Sequence, residues 1–299
     1  MKKFNGHFYP GLYLFCYGLC QAMVVFHGMM VRDSLLYPSC PPKNKGRWAW
    51  LWKISHRGLL KVVTGSILAV YVVFCIDDGM VLLSKETPPR FMYPQEWQHL
   101  TMFLLLTLNG CADIISKNLL RQRCVVLEKA SQVLNFYMLL LLLVSHSQGS
   151  AEVELQVHTL LILVVFLLML VLTAGLWAPE TFHLSLIENF LFLMMGSWLM
   201  QAGFILFRPV SGYPWQDDDI RDVMFVTTFF CWHVVINALC LLGIYGASSF
   251  WHHCYRPSSK LTRSRDAPCS MSAGGSLYML LQQVEPPEKD EHVPVLSKS

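Results

Sequence analysis

Residues 155–176 read LQVHTLLILVVFLLMLVLTAGL, twenty-two residues with no Asp, Glu, Lys or Arg among them. Wound as a helix at 1.5 Å per residue, such a run measures about 33 Å and crosses the ~30 Å hydrocarbon core of a bilayer. Outward from it lie six more stretches of similar length, at 8–31, 57–76, 97–116, 124–145, 184–207 and 223–248. Lys61 and the pair Glu128-Lys129 sit near the ends of two of them, where long side chains snorkel to the headgroups.

The whole chain agrees with this reading. Its 299 residues are 54% hydrophobic and 14% charged, against roughly 25% charged in a soluble domain. Mean hydropathy is +0.42. The expected fold is all-α: a polytopic membrane bundle of about seven transmembrane helices over residues 1–250, then a tail over 251–299. The tail is rich in Ser, Pro, Lys, Arg and Glu without an apolar period, and reads as disordered and cytoplasmic.

Loop charges set the orientation. Seven spans place Lys2, Lys3, Lys85, Arg90, Arg208 and Arg221 on one side. The other side takes Arg32, Lys43, Lys45, Arg47, Lys53, Arg57, Lys117, Arg121 and Arg123. It also takes Arg256, Lys260, Arg263, Arg265, Lys289 and Lys298 of the tail, fifteen against six. The positive-inside rule then puts the C-terminus in the cytoplasm and the N-terminus outside or in a lumen. Met1-Lys2-Lys3 before an apolar run resembles a signal peptide, but the run is long and lacks a small-x-small cleavage site, so it is read as a retained helix.

Several function classes drop out. Six of the ten cysteines, Cys16, Cys20, Cys75, Cys111, Cys231 and Cys240, lie in apolar blocks and read as small hydrophobes. No CxxC pair, GxGxxG, Walker A, HExxH or N-x-S/T sequon occurs. A net charge of +3 spread beside the apolar blocks gives no nucleic-acid surface, and the expected partner is the lipid bilayer. Gly11 with Gly18, and Gly196 with Gly203, repeat at an interval of seven and offer small-residue faces for packing within the chain or in a homo-oligomer.

Polar residues inside spans carry what functional signal there is, because an ionised side chain there costs about 2.5–3.5 kcal/mol. His7, His99, His146, His158 and His233 fall toward the outer ends of spans, with Gln201 near one such end and Glu154 in the adjacent loop. His99, His146, His158, His233, Gln201 and Glu154 form the candidate outer polar site. They could relay protons, bind a transition metal such as zinc, or only stitch helices together. Asp113, Lys117, Glu128, Lys129 and Glu188 form a second cluster toward the cytoplasmic side. Asp113 with Lys117 is a favourable i, i+4 pair, and Glu188 is placed to meet Lys129 across helices.

Certain stretches resemble a known group. Gly6-His7 with Pro10-Gly11, Trp97-x-His99-x-Thr101-Met102, Gly110-x-x-Asp113 and Val157-His158 are similar to the transmembrane protein 45 family. So are Gly196-Ser197-Trp198-x-x-Gln201-x-Gly203-Phe204 and Cys231-Trp232-His233. Within that family the likeness is nearest to the transmembrane epididymal proteins. The resemblance implies about seven spans and no established biochemical activity. It also has a departure: where that family shows His-x-His-Gly-Arg, this chain reads His146-Ser147-Gln148-Gly149-Ser150, with Glu154 in place of an Asp.

Three classes of function remain at this stage. A structural, trafficking or interaction protein of the membrane needs only the helices and the tail. A proton- or ion-handling protein would use the outer histidines and a path toward Asp113. A metal-dependent hydrolase would use the same histidines around an activated water, and lacks a clear nucleophile–base pair.

Overall fold

The computed structural model describes residues 2–32, 55–74, 81–85, 87–120, 124–178 and 181–255. They form seven helices long and apolar enough to cross a membrane. These are α1 (Lys2–Arg32), α2 (His56–Phe74), α3 (Pro94–Ile114), α4 (Val125–His146), α5 (Glu152–Trp177), α6 (Phe182–Phe207) and α7 (Ile220–Tyr255). A π-helical turn, Ile115–Leu119, continues α3. No strand occurs among the described residues, only one bridge between Leu83 and Phe91. The chain is a multi-pass membrane protein.

Helices α1, α5, α6 and α7 outrun the apolar stretches that announce them. The last one starts three residues before the expected 223 and ends at Tyr255 rather than 248. Polar residues at helix ends keep the backbone hydrogen bonds going into the headgroup zone, where hydropathy no longer reports them. The basic residues Lys43, Lys45, Arg47, Lys53, Arg121 and Arg123, and the tail from Arg256 onward, lie outside the described residues.

Burial runs opposite to that of a soluble bundle. Val24, Ile67, Leu108, Val126 and Leu242 are more than half exposed on the outward helix faces, as hydrocarbon surroundings allow. The buried core lies chiefly on α5 and α6, where Val157, Leu161, Val165, Leu168, Met194 and Trp198 interdigitate.

Two close approaches fix the arrangement. Gly11 of α1 faces Gly196 of α6: a Cβ on Gly11 would meet the Gly196 carbonyl oxygen at 2.9 Å, and one on Gly196 would run into the backbone of Phe15. The small-residue faces of the first and sixth spans are therefore spent on each other, with Gly18 against Leu193 and Gly203 beside Phe4 and His7. The second approach joins α2 to α3. A Cβ on Gly58 would lie 2.8 Å from the Gly110 carbonyl oxygen, and one on Gly110 would lie 2.7 Å from that of Gly58. Three residues further along each helix stand Lys61 and Asp113.

Candidate functional site

Six helices, α1 to α6, wall a cavity of about 140 Å3. Its middle is largely hydrocarbon, lined by Leu14, Leu105, Leu106, Phe136, Leu139, Leu161, Phe192 and Met195, with Tyr13, Asn109 and Asn135 as uncharged polar members of the wall. Its two ends are polar in different ways.

At the outer end four imidazoles meet, one each from α1, α3, α4 and α5. Ring centroids are 5.1 Å apart for His99 and His146, 5.3 Å for His146 and His158, 6.0 Å for His158 and His7, and 6.4 Å for His7 and His99. Each histidine lies within the first or last turns of its helix, so alternating spans bring all four to one depth. A second cavity of about 130 Å3 shares His7, His99 and His146 and continues outward to Glu96 and Glu154. Pro10 adds polarity here: it has no N–H to give, so the Gly6 carbonyl at the cavity wall lacks its helical donor.

The rings are oriented by their neighbours. His146 Nδ1 lies 3.0 Å from Gln98 Oε1, and the same amide donates from Nε2 to Ser145 Oγ at 3.1 Å. His158 Nδ1 lies 2.8 Å from the Glu154 carbonyl oxygen. These oxygens only accept, so each neutral ring carries its proton on Nδ1 and leaves Nε2 as an acceptor.

The inner end is built from formal charges. Lys61 Nζ sits 2.8 Å from Asp113 Oδ2, with both residues buried. The expected partner of Asp113 was Lys117 on its own helix. Lys117 is instead exposed on the π turn, whose wider winding takes it off the line of Asp113. Lys61 itself was expected to snorkel from a span end, yet it is 5% exposed, because the Gly58–Gly110 contact draws α2 against α3 and supplies a carboxylate.

Beyond this pair opens a third cavity, about 270 Å3, which shares Tyr17, Lys61 and Gln132 with the central one. Arg57, Asp113, Glu128, Lys129, Glu188 and Asn189 line it. Lys129 Nζ donates to the Gly175 carbonyl at 3.2 Å, and Glu128 accepts from Ser116 Oγ at 2.9 Å. Gln132 Nε2 reaches Glu188 Oε1 at 3.5 Å. Glu188 and Lys129, expected to meet, thus share one chamber wall. The amide nitrogen of Asn189 is buried with no hydrogen-bond partner among the described residues.

Comparison with known proteins places this architecture. Residues 125–246 match the model of a family described as "Family of unknown function (DUF716)". The chain is 64% identical over 298 residues to transmembrane epididymal protein 1A of Mus musculus, covering all of this chain and 98% of the relative. It is 67% identical over 271 residues to transmembrane epididymal protein 1 of Homo sapiens, covering 91% of this chain and 99% of the relative. The Rattus norvegicus protein of that name is 62% identical over 299 residues, covering all of this chain and 98% of the relative. The chain belongs to the transmembrane epididymal protein family.

In this family member the matched region 125–246 supplies two of the four clustered imidazoles, His146 and His158, and α1 and α3 supply the others. The structure places His99, His146, His158 and Glu154 at one end of the bundle, and His7 completes the ring of imidazoles. His233 and Gln201 do not join. Helix α7 packs outside the ring of six, against α1, α5 and α6, and none of its described residues lines the central cavity. His233 instead meets the Trp198 ring edge-on at 5.7 Å. Trp198 Nε1 donates to the Val157 carbonyl at 3.0 Å, and Asn237 Nδ2 donates to Ser197 Oγ and to the His233 carbonyl, each at 2.8 Å. The Gly-Ser-Trp and Cys-Trp-His stretches are thus a lock between α5, α6 and α7. Gln201 is half-buried on α6, away from the cavity walls.

Zinc does not fit this donor set. Among the described residues no group of three or more His, Cys, Asp or Glu is placed to hold a metal ion. The four rings meet one another edge to face, at interplanar angles of 60–74°.

Proposed function

We propose that this transmembrane epididymal protein is a non-catalytic interaction protein of the membrane, and that its helix bundle works by binding. One observation carries the reading: the wall between the two polar ends is largely hydrocarbon. A proton or ion passing from the histidines to Lys61 and Asp113 would cross a stretch lined mostly by leucine, phenylalanine and methionine, in which Tyr13, Asn109 and Asn135 are uncharged. Apolar cavities of this size stay dry, and an unsolvated charge there is strongly disfavoured. The described residues of that wall include no Ser, Thr, Cys, Asp or Glu, so it supplies no hydroxyl–carboxylate or thiol–carboxylate pair for acyl transfer. A hydrocarbon chamber with polar ends is instead suited to holding a molecule.

The proposed placement has the C-terminus in the cytoplasm and the four histidines facing outside or a lumen, supported by the fifteen-to-six loop charge asymmetry. A C-terminal epitope should then stain only after permeabilisation. The Trp97, Gly110-x-x-Asp113 and Gly-Ser-Trp stretches support kinship with the wider transmembrane protein 45 family.

The convergence of four imidazoles favours one second reading, a proton path gated at the outer end. Purified protein reconstituted in liposomes with an internal pH dye separates the two. Binding without conduction predicts acid-driven flux equal to that of empty liposomes. Flux above that level, abolished by His158→Phe, replaces the binding reading with the proton path.

A further inference from the structure

We propose that the adjoining central and inner chambers take a single-chain amphiphile with a zwitterionic head, of the lysophospholipid class. The head occupies the charged inner chamber and the tail runs outward toward the histidines. The inference deepens the binding reading and rests on it.

Three observations carry it. The first is adjacency: Tyr17, Lys61 and Gln132 belong to the walls of both the 140 Å3 and the 270 Å3 cavities, so only these side chains need turn aside for one molecule to occupy both. The second is the change in chemistry along that path. The central wall is mostly leucine, phenylalanine and methionine, with few uncharged polar groups, and accepts a hydrocarbon tail. The inner wall carries Arg57, Lys61 and Lys129 beside Asp113, Glu128 and Glu188, three charges of each sign. A purely anionic head would compete with Asp113 for Lys61 and leave a carboxylate uncompensated in a buried site. A purely cationic head would do the same to Lys61. A head bearing both signs can meet the wall without stripping either partner.

The third observation is the Asn189 amide. Asn189 is 3% exposed, lines the inner chamber, and has a buried Nδ2 with no partner among the described residues. A buried donor left unmade costs about 1–3 kcal/mol, and native proteins seldom leave one without a role. Turned into the chamber that its residue lines, this amide would find in a phosphate oxygen of the head the acceptor it lacks. At the outer end, the histidines cap the tail chamber with imidazole edges, which tolerate an apolar terminus.

The test uses the purified full-length chain in lipid nanodiscs, with binding read by native mass spectrometry and thermal shift. The probes are a long-chain lysophosphatidylcholine, the alkanol of the same chain length, and soluble glycerophosphocholine. The lysolipid should bind at least about tenfold more tightly than the alkanol, since charge-assisted hydrogen bonds to the head are lost in the latter. Leu106→Trp, which fills the tail chamber, should abolish lysolipid binding. Asn189→Leu removes the orphaned donor, so it should fold at least as well as wild type while weakening the lysolipid about tenfold.

Equal affinity for lysolipid and alkanol overturns the placement of the head. Binding of glycerophosphocholine as tight as that of the lysolipid overturns the tail chamber and points to a small free zwitterion. No binding of any probe, with liposome flux still at the empty level, overturns this inference and leaves the non-catalytic reading standing. Flux above that level overturns the reading beneath it.

Discussion

The two ends of the bundle solve the same problem by opposite means. Both bury polar groups among helices, where each must find a partner or be disfavoured. The outer end uses imidazoles, which can be neutral, and settles them with a glutamine side chain and a backbone carbonyl from the same end of the bundle. The inner end uses ammonium and carboxylate groups, which must pair, and pairing across helices demands that the backbones come close. Gly58 and Gly110 provide that contact, and Lys61 meets Asp113 one turn further on. Neutral groups can be added to a bundle whose geometry is set elsewhere. Charged groups dictate the geometry around them.

The sharpest way to break this contrast is Lys61→Met. It keeps the length of the side chain and leaves Asp113 buried without its cation, which should cost about 3–5 kcal/mol. Folded protein recovered by size exclusion should fall steeply. The double variant Lys61→Met with Asp113→Leu should recover most of the loss, since an apolar pair of similar volume replaces a buried ion pair with little penalty. If the single variant is as stable as wild type, the inner end does not depend on its charges.

His158→Ala probes the outer end and should be milder, about 1–3 kcal/mol, because it empties a buried site without stranding a charge. Its Tm should stand between those of wild type and Lys61→Met, and a loss as large as that of Lys61→Met would remove the contrast between the two ends.

His233→Ala is the control for position. Its ring touches Trp198 outside the cavity, an aromatic contact of about 0.5–1.5 kcal/mol. The substitution should lower Tm by less than His158→Ala does. A larger loss would mean that the aromatic contact outside the cavity matters more than the buried ring of the quartet.

These contrasts show which features sequence alone reveals. The seven spans are legible because the bilayer demands about twenty apolar residues for each, and that demand is local. His99, His146 and His158 are legible as a set because they share a depth, and depth follows from counting residues along known spans. Which histidines face each other is a matter of helix order around the ring, and so His233, at a suitable depth on α7, was grouped with them wrongly. Lys61 was misread for a related reason. Its partner lies 52 residues away on another helix, and only the matching spacings of Gly58-x-x-Lys61 and Gly110-x-x-Asp113 hint at it. Asn189 and Asn237 carry no spacing signal, since their partners or lack of partners arise from packing alone.

The smallest effect is expected where the geometry looks most like the largest. Arg221 lies 2.8 Å from Asp219, the same separation as Lys61 from Asp113. Exposure separates the pairs: the side chains are 81% and 24% exposed for Arg221 and Asp219, and 6% and 9% for Lys61 and Asp113. Hydrogen bonds from the Arg221 side chain and backbone N–H hold the Asp219 carboxyl below the usual carboxylate range. A carboxyl with a depressed folded value contributes stability above its unfolded value and loses it as pH falls through the folded one. The contribution is therefore intact at neutral pH, but water screens both partners and each is nearly as well solvated apart. Asp219→Asn should lower Tm only slightly from about pH 5 to 8, and even that difference should vanish under stronger acid as the wild type loses the contribution. If it destabilised the protein as much as Lys61→Met, burial would not be what separates the two ion pairs.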